Sequence, residues 1–231
     1  MAIPAKALSF SFVAHFLAAA LAAMVLVWSF HFRGGLAWEA TNKNLIFNLH
    51  PVLMLIGFII LGGEAIMSYK SLPFNKEVKK TIHLALHAVA LVLGIIGIWA
   101  AFKNHNESGL ANLYSLHSWL GIGVIVLYAI QWIYGFVVFF YPGGTSNIRR
   151  ESLPWHVLFG SFVYVLAVGN ACLGFVEKLT FLESAGLNKY GSEAFLVNFT
   201  AIATILYGAF VFLTVLSSHT PPLDDHSYSA I

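Results

Sequence analysis

The chain has 231 residues, 59% of them hydrophobic and only 10% charged, with a formal net charge of +2. Soluble domains carry about 25% charged residues, so this composition excludes an ordinary soluble fold, and the net charge is too small to suggest nucleic-acid binding. Cys172 is the only cysteine, which excludes an intrachain disulfide, a cysteine-rich zinc or iron–sulfur site and covalent haem attachment through Cys-x-x-Cys-His.

In chain order, six apolar segments are long enough to cross a bilayer as helices, at about 8–30, 46–68, 80–102, 115–140, 154–176 and 194–216. The first follows Lys6 and contains Ala-x-Ala, as a signal peptide does. It is too long for one, and Phe30-His31-Phe32-Arg33 is a poor cleavage site. The expected architecture is all-α: one transmembrane domain over residues 1–231, six helices, with a disordered tail over about 219–231. Tyr228-Ser229-Ala230-Ile231 in that tail has the form of a tyrosine sorting signal, a short pattern that chance also supplies.

Lysine and arginine set the orientation. Lys6, Lys70, Lys76, Lys79, Lys80, Arg149 and Arg150 fall on one side, and Arg33, Lys43, Lys103, Lys178 and Lys189 on the other. The dense 70–80 loop and the Arg149-Arg150 pair assign the first side, with both termini, to the cytosol. Asn106-Glu107-Ser108 is a glycosylation sequon on the opposite side, in a loop close to the membrane.

Ten histidines are present, most of them at span ends. An imidazole inside hydrocarbon costs free energy unless it has a partner, so each intramembrane histidine is a functional candidate. Because helix direction alternates, His50 and His117 share a depth near the non-cytosolic face, and His83 and His156 share one near the cytosolic face. Two histidines from different helices at one level suit trans axial ligation of a haem iron. Gly121 and Gly160 each follow a layer histidine by four residues, on the same helical face. Gly57 and Gly94 lie on compatible faces, and small residues there would leave room for a flat macrocycle. A single such histidine would ordinarily be satisfied by carbonyls and water; four in two matched layers point to a shared cofactor. His83 and His87, at i and i+4, also have zinc-ligand spacing, and the residues alone leave either as the ligand of the cytosolic layer.

The ordered set Asn48-Leu49-His50-Pro51, His83-x-x-x-His87, Tyr114-Ser115-Leu116-His117-Ser118-Trp119 and Pro154-Trp155-His156, with Gln131-Trp132 and Tyr141-Pro142-Gly143, resembles the cytochrome b561 family over about residues 46–176, in its plant form. The resemblance implies six helices, the middle four holding two non-covalent haem b groups, usually in a homodimer. It implies the ligand pairs His50/His117 and His83/His156, favouring His83 over His87. It also implies electron transfer from cytosolic ascorbate to monodehydroascorbate or a ferric chelate across a vacuolar, endomembrane or plasma membrane.

Ascorbate is an anion at neutral pH, so its site needs positive charge near the cytosolic layer. Lys76 and Lys80, one turn apart, and Arg149, expected in the loop before His156, supply it and match family positions. Without the family match these cations would simply obey the positive-inside rule. On the far side, His105, Asn106 and Tyr114 flank the loop before His117 as candidates for the acceptor site, and Ser118 and Trp119 are expected to shape the haem pocket. With each ligand about one turn inside a roughly 30 Å core, the irons are expected roughly 15–20 Å apart. Two other readings carry different signatures. A quinol-linked di-haem subunit would need a soluble partner and ignore ascorbate, and a haem-free histidine proton relay would purify colourless.

Overall fold

A computed structural model describes residues 5–217; the sequence-predicted tail, with His219, His226 and the Tyr228-Ser229-Ala230-Ile231 signal, lies outside the described residues. Among the described residues every regular element is a helix. Six are long and apolar enough to cross a membrane: Ala7–Phe32, Asn44–Ser71, Lys76–Ser108, Leu116–Phe140, Ser146–Ser184 and Ser192–Leu216, called the first to sixth helix below. Six alternating spans bring residues 7 and 216 to one end of the bundle, the terminal end; the other is the distal end.

The third and fifth helices, at 33 and 39 residues, outrun the expected spans. At 1.5 Å per residue a 39-residue helix is about 58 Å long, well beyond a hydrocarbon core of about 30 Å. The third begins at Asn75, whose side chain accepts from the Val78 N–H at 3.0 Å, and ends at Gly109 in the left-handed region. The fifth was expected to open at Pro154. Instead Thr145 caps it, and Pro154 lies inside. Proline lacks an N–H for the carbonyl four residues back; at residue 150 that carbonyl is near the helix start, within reach of water. Arg149 therefore sits in the first helical turn rather than a loop. His105 and Asn106 likewise sit in the last turn of the third helix, leaving Tyr114 in the connecting loop. The fourth helix opens with a reciprocal cap between Ser115 and Ser118.

The second helix is interrupted. Pro51 removes one N–H, and the chain widens into a π-helical stretch, Leu53–Ile60. Two carbonyls at its end are taken by tyrosines from other helices: Tyr164 Oη donates to Ile59 O at 3.2 Å and Tyr207 Oη to Ile60 O at 2.8 Å. Gly63 makes room for both hydroxyls, because a Cβ there would meet them at 2.6 and 2.5 Å.

Packing divides the middle of the molecule into two hairpins. The second and third helices pack extensively, as do the fourth and fifth, while contacts between the hairpins are fewer. Close approach in the first hairpin uses Gly57 and Gly94. A Cβ on the former would meet Leu93 Cβ at 2.6 Å and on the latter Phe58 at 2.8 Å. These glycines therefore seat one helix on another. The first and sixth helices pair on the outside and cover the second. Their outward faces, including Phe12 and Phe16, present the apolar surface that a bilayer solvates. Between them an intramembrane acid is satisfied: His15 Nδ1 lies 3.0 Å from Glu64 Oε1, and Tyr207 Oη donates to the same oxygen at 3.4 Å.

Candidate functional site

Each hairpin contributes one histidine to each end. His50 (second helix) and His117 (fourth) have ring centres 6.0 Å apart at the distal end, and His83 (third) and His156 (fifth) have theirs 6.3 Å apart at the terminal end. Two imidazoles trans to one metal, each bound through nitrogen at about 2 Å, have ring centres about 6 Å apart. Both separations fit.

The outer ring nitrogens are already engaged. His50 Nδ1 donates to Gly97 O, His83 Nδ1 to Ala65 O and His117 Nδ1 to Asn170 O, each at 2.9 Å. A carbonyl can only accept, so Nδ1 carries the proton and Nε2 keeps its lone pair, the arrangement that prepares a metal-binding histidine. The acceptors are reciprocal within a hairpin: the second helix bonds the third through His50, and the third bonds back through His83. His156 differs, for its Nδ1 meets the Gln131 Nε2 amide at 2.9 Å.

Glycines also stand against two of the layer rings. A Cβ at Gly174 would meet His117 Cε1 at 2.7 Å, and one at Gly135 would meet His156 Cε1 at 3.0 Å. Gly121, which lines the cavity beside His50 and His117, and Gly160 stand against the Asn170 and Gln131 amides, at 3.0 and 3.2 Å. The distal layer thus offers two Nε2 lone pairs and the terminal layer one, at His83, with His156 free to ligate once its proton moves to Nδ1; with glycine-cleared ring edges and an apolar surround, this fits a flat bis-imidazole metal cofactor.

His87 is occupied otherwise. Its Nδ1 lies 2.5 Å from Tyr128 Oη, and its ring stands edge-on to His83 at 4.4 Å. No cluster of three or more His, Cys, Asp or Glu forms among the described residues, so His83 and His87 gather no further zinc ligands.

At the terminal end, Lys76, Lys80 and Arg149 come together around one residue that the sequence reading passed over. The Glu77 carboxylate lies in the field of all three, with Lys80 Nζ 2.6 Å away. Lys80 also stands over the Phe140 ring at 5.8 Å.

At the distal end a cavity of about 290 Å³ opens beside His50 and His117, with His105 and Tyr114 on its wall. Asn106 does not line it. Its Oδ1 accepts from Asn112 Nδ2 at 2.7 Å, and Asn112 is the lining residue. Burial and the Glu177 carboxylate push the Tyr114 hydroxyl above its ordinary pKa, so it keeps its proton at neutral pH. Ser118 lines the cavity, whereas Trp119 is 70% exposed and donates from Nε1 to Leu113 O at 2.6 Å. Lys178, counted from sequence only as a loop charge, also lines this cavity.

The chain matches known proteins over most of its length. The family described as eukaryotic cytochrome b561 matches residues 49–182. The chain is 68% identical to the Arabidopsis thaliana protein named transmembrane ascorbate ferrireductase 1, covering 100% of both chains. It is 67% identical to ascorbate-specific transmembrane electron transporter 2 of Zea mays, over 92% of this chain and 90% of the relative. A human transmembrane ascorbate-dependent reductase is 40% identical over 83% of this chain and 75% of its own.

Proposed function

Because the chain belongs to the eukaryotic cytochrome b561 family, we propose that it moves single electrons across a membrane, from ascorbate at the terminal end to an acceptor at the distal end, through two non-covalent haem b groups. The ligands are His50 with His117, and His83 with His156. The observation that carries this reading is the pair of ring separations, 6.0 and 6.3 Å, combined with Nδ1 protons held by carbonyls at three of the four rings. When bound, the haems supply the one-electron redox chemistry; the protein supplies ligation, burial and docking.

In this reading residues 1–231 form one transmembrane domain with its haem-binding core at about 46–176. The lysine and arginine bias puts both termini in the cytosol. The names of the Arabidopsis and maize relatives bring ascorbate as donor and ferric iron as acceptor; monodehydroascorbate is the second acceptor class. A homodimer in a vacuolar, endomembrane or plasma membrane completes the assignment.

Lys76, Lys80 and Arg149 take the ascorbate anion beside His83 and His156. Docking exchanges the Glu77–Lys80 contact for one between Lys80 and the donor. Loss of one electron and one proton converts the donor to monodehydroascorbate, and the proton leaves to the cytosolic water that bathes Glu77. At the other end His105 and Tyr114 orient the acceptor directly and Asn106 acts through Asn112. Outward electron movement across a negative-inside potential is favoured by about 2.3 kcal/mol per 100 mV.

The test is the visible spectrum of the purified protein before and after ascorbate, with a pyridine haemochrome count. Two haem b per chain, promptly reduced, are expected. Two haems indifferent to ascorbate would move the assignment to a quinol-linked cytochrome, and a folded, haem-supplied protein that stays colourless would overturn it.

A further inference from the structure

We propose that Lys178 is the anion-binding group of the distal cavity, and that it holds a carboxylate or enolate of whatever occupies that space. The inference rests on the di-haem reading and names a binding residue within its distal site.

Most cations at this end are already committed to carboxylates. Arg33 pairs with Glu193, which also accepts from Trp28 Nε1 at 3.0 Å. Lys43 Nζ lies 2.7 Å from Glu107, and Lys103 Nζ lies 2.7 Å from Glu39 and 2.5 Å from Glu107. Lys178 lines the cavity that His50 and His117 face, and among the described residues it makes no ion pair or side-chain hydrogen bond. The charges it senses, Arg33 and Glu193, pair with each other. Its ammonium instead stands 4.1 Å from the centre of the Phe47 ring, and the Phe47 ring lies 5.8 Å from that of His50, tilted by 39°.

A half-buried ammonium over an aromatic face gains cation–π attraction, but the ring satisfies none of its three N–H donors. In a largely apolar cavity those donors need an acceptor, and an anion answers both requirements at once. Two anions can reach this place. One is a propionate of the cofactor between His50 and His117, and the other is the diffusible acceptor, itself anionic as monodehydroascorbate or as a ferric chelate. Both present oxygen anions to the same ammonium.

The experiment compares the wild-type holoprotein with Lys178→Met, which keeps the stem and drops the charge, and Lys178→Arg, which keeps the charge. Three quantities are read: haem per chain, the rate of haem loss to excess apomyoglobin, and the KM for ferricyanide beside that for a cationic acceptor, hexaammineruthenium(III). If the partner is a propionate, Lys178→Met loses haem about tenfold faster and Lys178→Arg restores retention. If it is the acceptor, haem is retained, the ferricyanide KM rises about tenfold and the KM for the cationic acceptor does not rise. Should Lys178→Met fail to fold, Lys178→Gln and the salt dependence of the wild-type ferricyanide KM read the same charge. Unchanged haem loss together with an unchanged ferricyanide KM would overturn the proposal. A wild-type protein that takes up no haem would overturn instead the reading on which it rests.

Discussion

The Gln131 side-chain nitrogen lies 2.9 Å from His156 Nδ1 and 2.7 Å from the His156 carbonyl oxygen. Three layer histidines donate to backbone carbonyls; this one faces a side chain that mutation can remove. An amide nitrogen donating to Nδ1 leaves the ring proton on Nε2, the nitrogen that ligation requires. For His156 to ligate, Nδ1 must carry the proton, and the Gln131 side chain would turn so that Oε1 accepts it, giving up the bond from Nε2 to the His156 carbonyl. Gln131→Leu leaves that N–H without an acceptor and makes His156 a poorer electron donor. The midpoint potential of the terminal-end haem is then expected to rise. A lost hydrogen bond of about 1 kcal/mol corresponds to about 40 mV for one electron. Gln131→Glu is expected to move it the other way. An equilibrium redox titration reads both, with the distal haem as internal reference, and a terminal-end potential unmoved in both variants would sink the argument.

Haem stoichiometry should separate the two kinds of glycine. Gly174→Ala drives a methyl group into His117, whose Cε1 would be 2.7 Å away, whereas Gly121→Ala meets only the Asn170 amide at 3.0 Å. The first is expected to empty the distal layer and leave one haem per chain. The second should retain both. A pyridine haemochrome count distinguishes these outcomes.

Glu77 competes with the donor for Lys80. Glu77→Gln is expected to lower the KM for ascorbate by about twofold to fivefold, the range for releasing an exposed ion pair. Lys80→Met should raise it. Steady-state reduction at fixed ionic strength measures both, and added salt should shrink the difference. A higher KM in Glu77→Gln would mean that the carboxylate belongs to the site in its own right.

The π-helical stretch depends on hydroxyls brought in from outside the second helix. Gly63→Ala would displace Tyr164 and Tyr207 from the carbonyls of Ile59 and Ile60, and overpacking of this kind costs about 1–3 kcal/mol. Tyr207→Phe removes one donor without adding bulk and should cost about 1 kcal/mol. Thermal unfolding in detergent is expected to rank Gly63→Ala below Tyr207→Phe, and both below wild type.

Much of the site is legible because its cost is visible in single letters. An imidazole among aliphatic residues announces His50, His83, His117 and His156, and alternating helix direction sorts them into layers. What holds those rings is not legible in the same way. The acceptors at Gly97, Ala65 and Asn170 are backbone carbonyls, which every residue possesses. The glycines pressed against His117 and His156 stand on the neighbouring helix, out of reach of a count along the ligand's own face, which selects Gly121 and Gly160. A faint signal existed: Asn170-x-x-x-Gly174 and Gln131-x-x-x-Gly135 repeat a polar residue and a glycine four apart, opposite His117 and His156. Helix ends were misjudged where hydropathy was the guide, because Asn75 and Thr145 cap their helices in the aqueous zone that hydropathy ignores. Lys178 was invisible as a binding group because its commitment to no carboxylate is a fact of three dimensions.

The division into two hairpins has a consequence for how the protein is made. Each hairpin ties its own helices together through ring-to-backbone bonds and close glycine contacts, and these need nothing from outside the chain. Each histidine layer, by contrast, takes one member from either hairpin. Membrane insertion and hairpin closure can therefore be finished before any cofactor arrives, and cofactor delivery is the last act of assembly, joining two prefabricated halves at two depths. Cells starved of haem should accumulate a fully inserted chain of normal topology whose loop between the hairpins is open to protease, and later haem supply should close it without new synthesis.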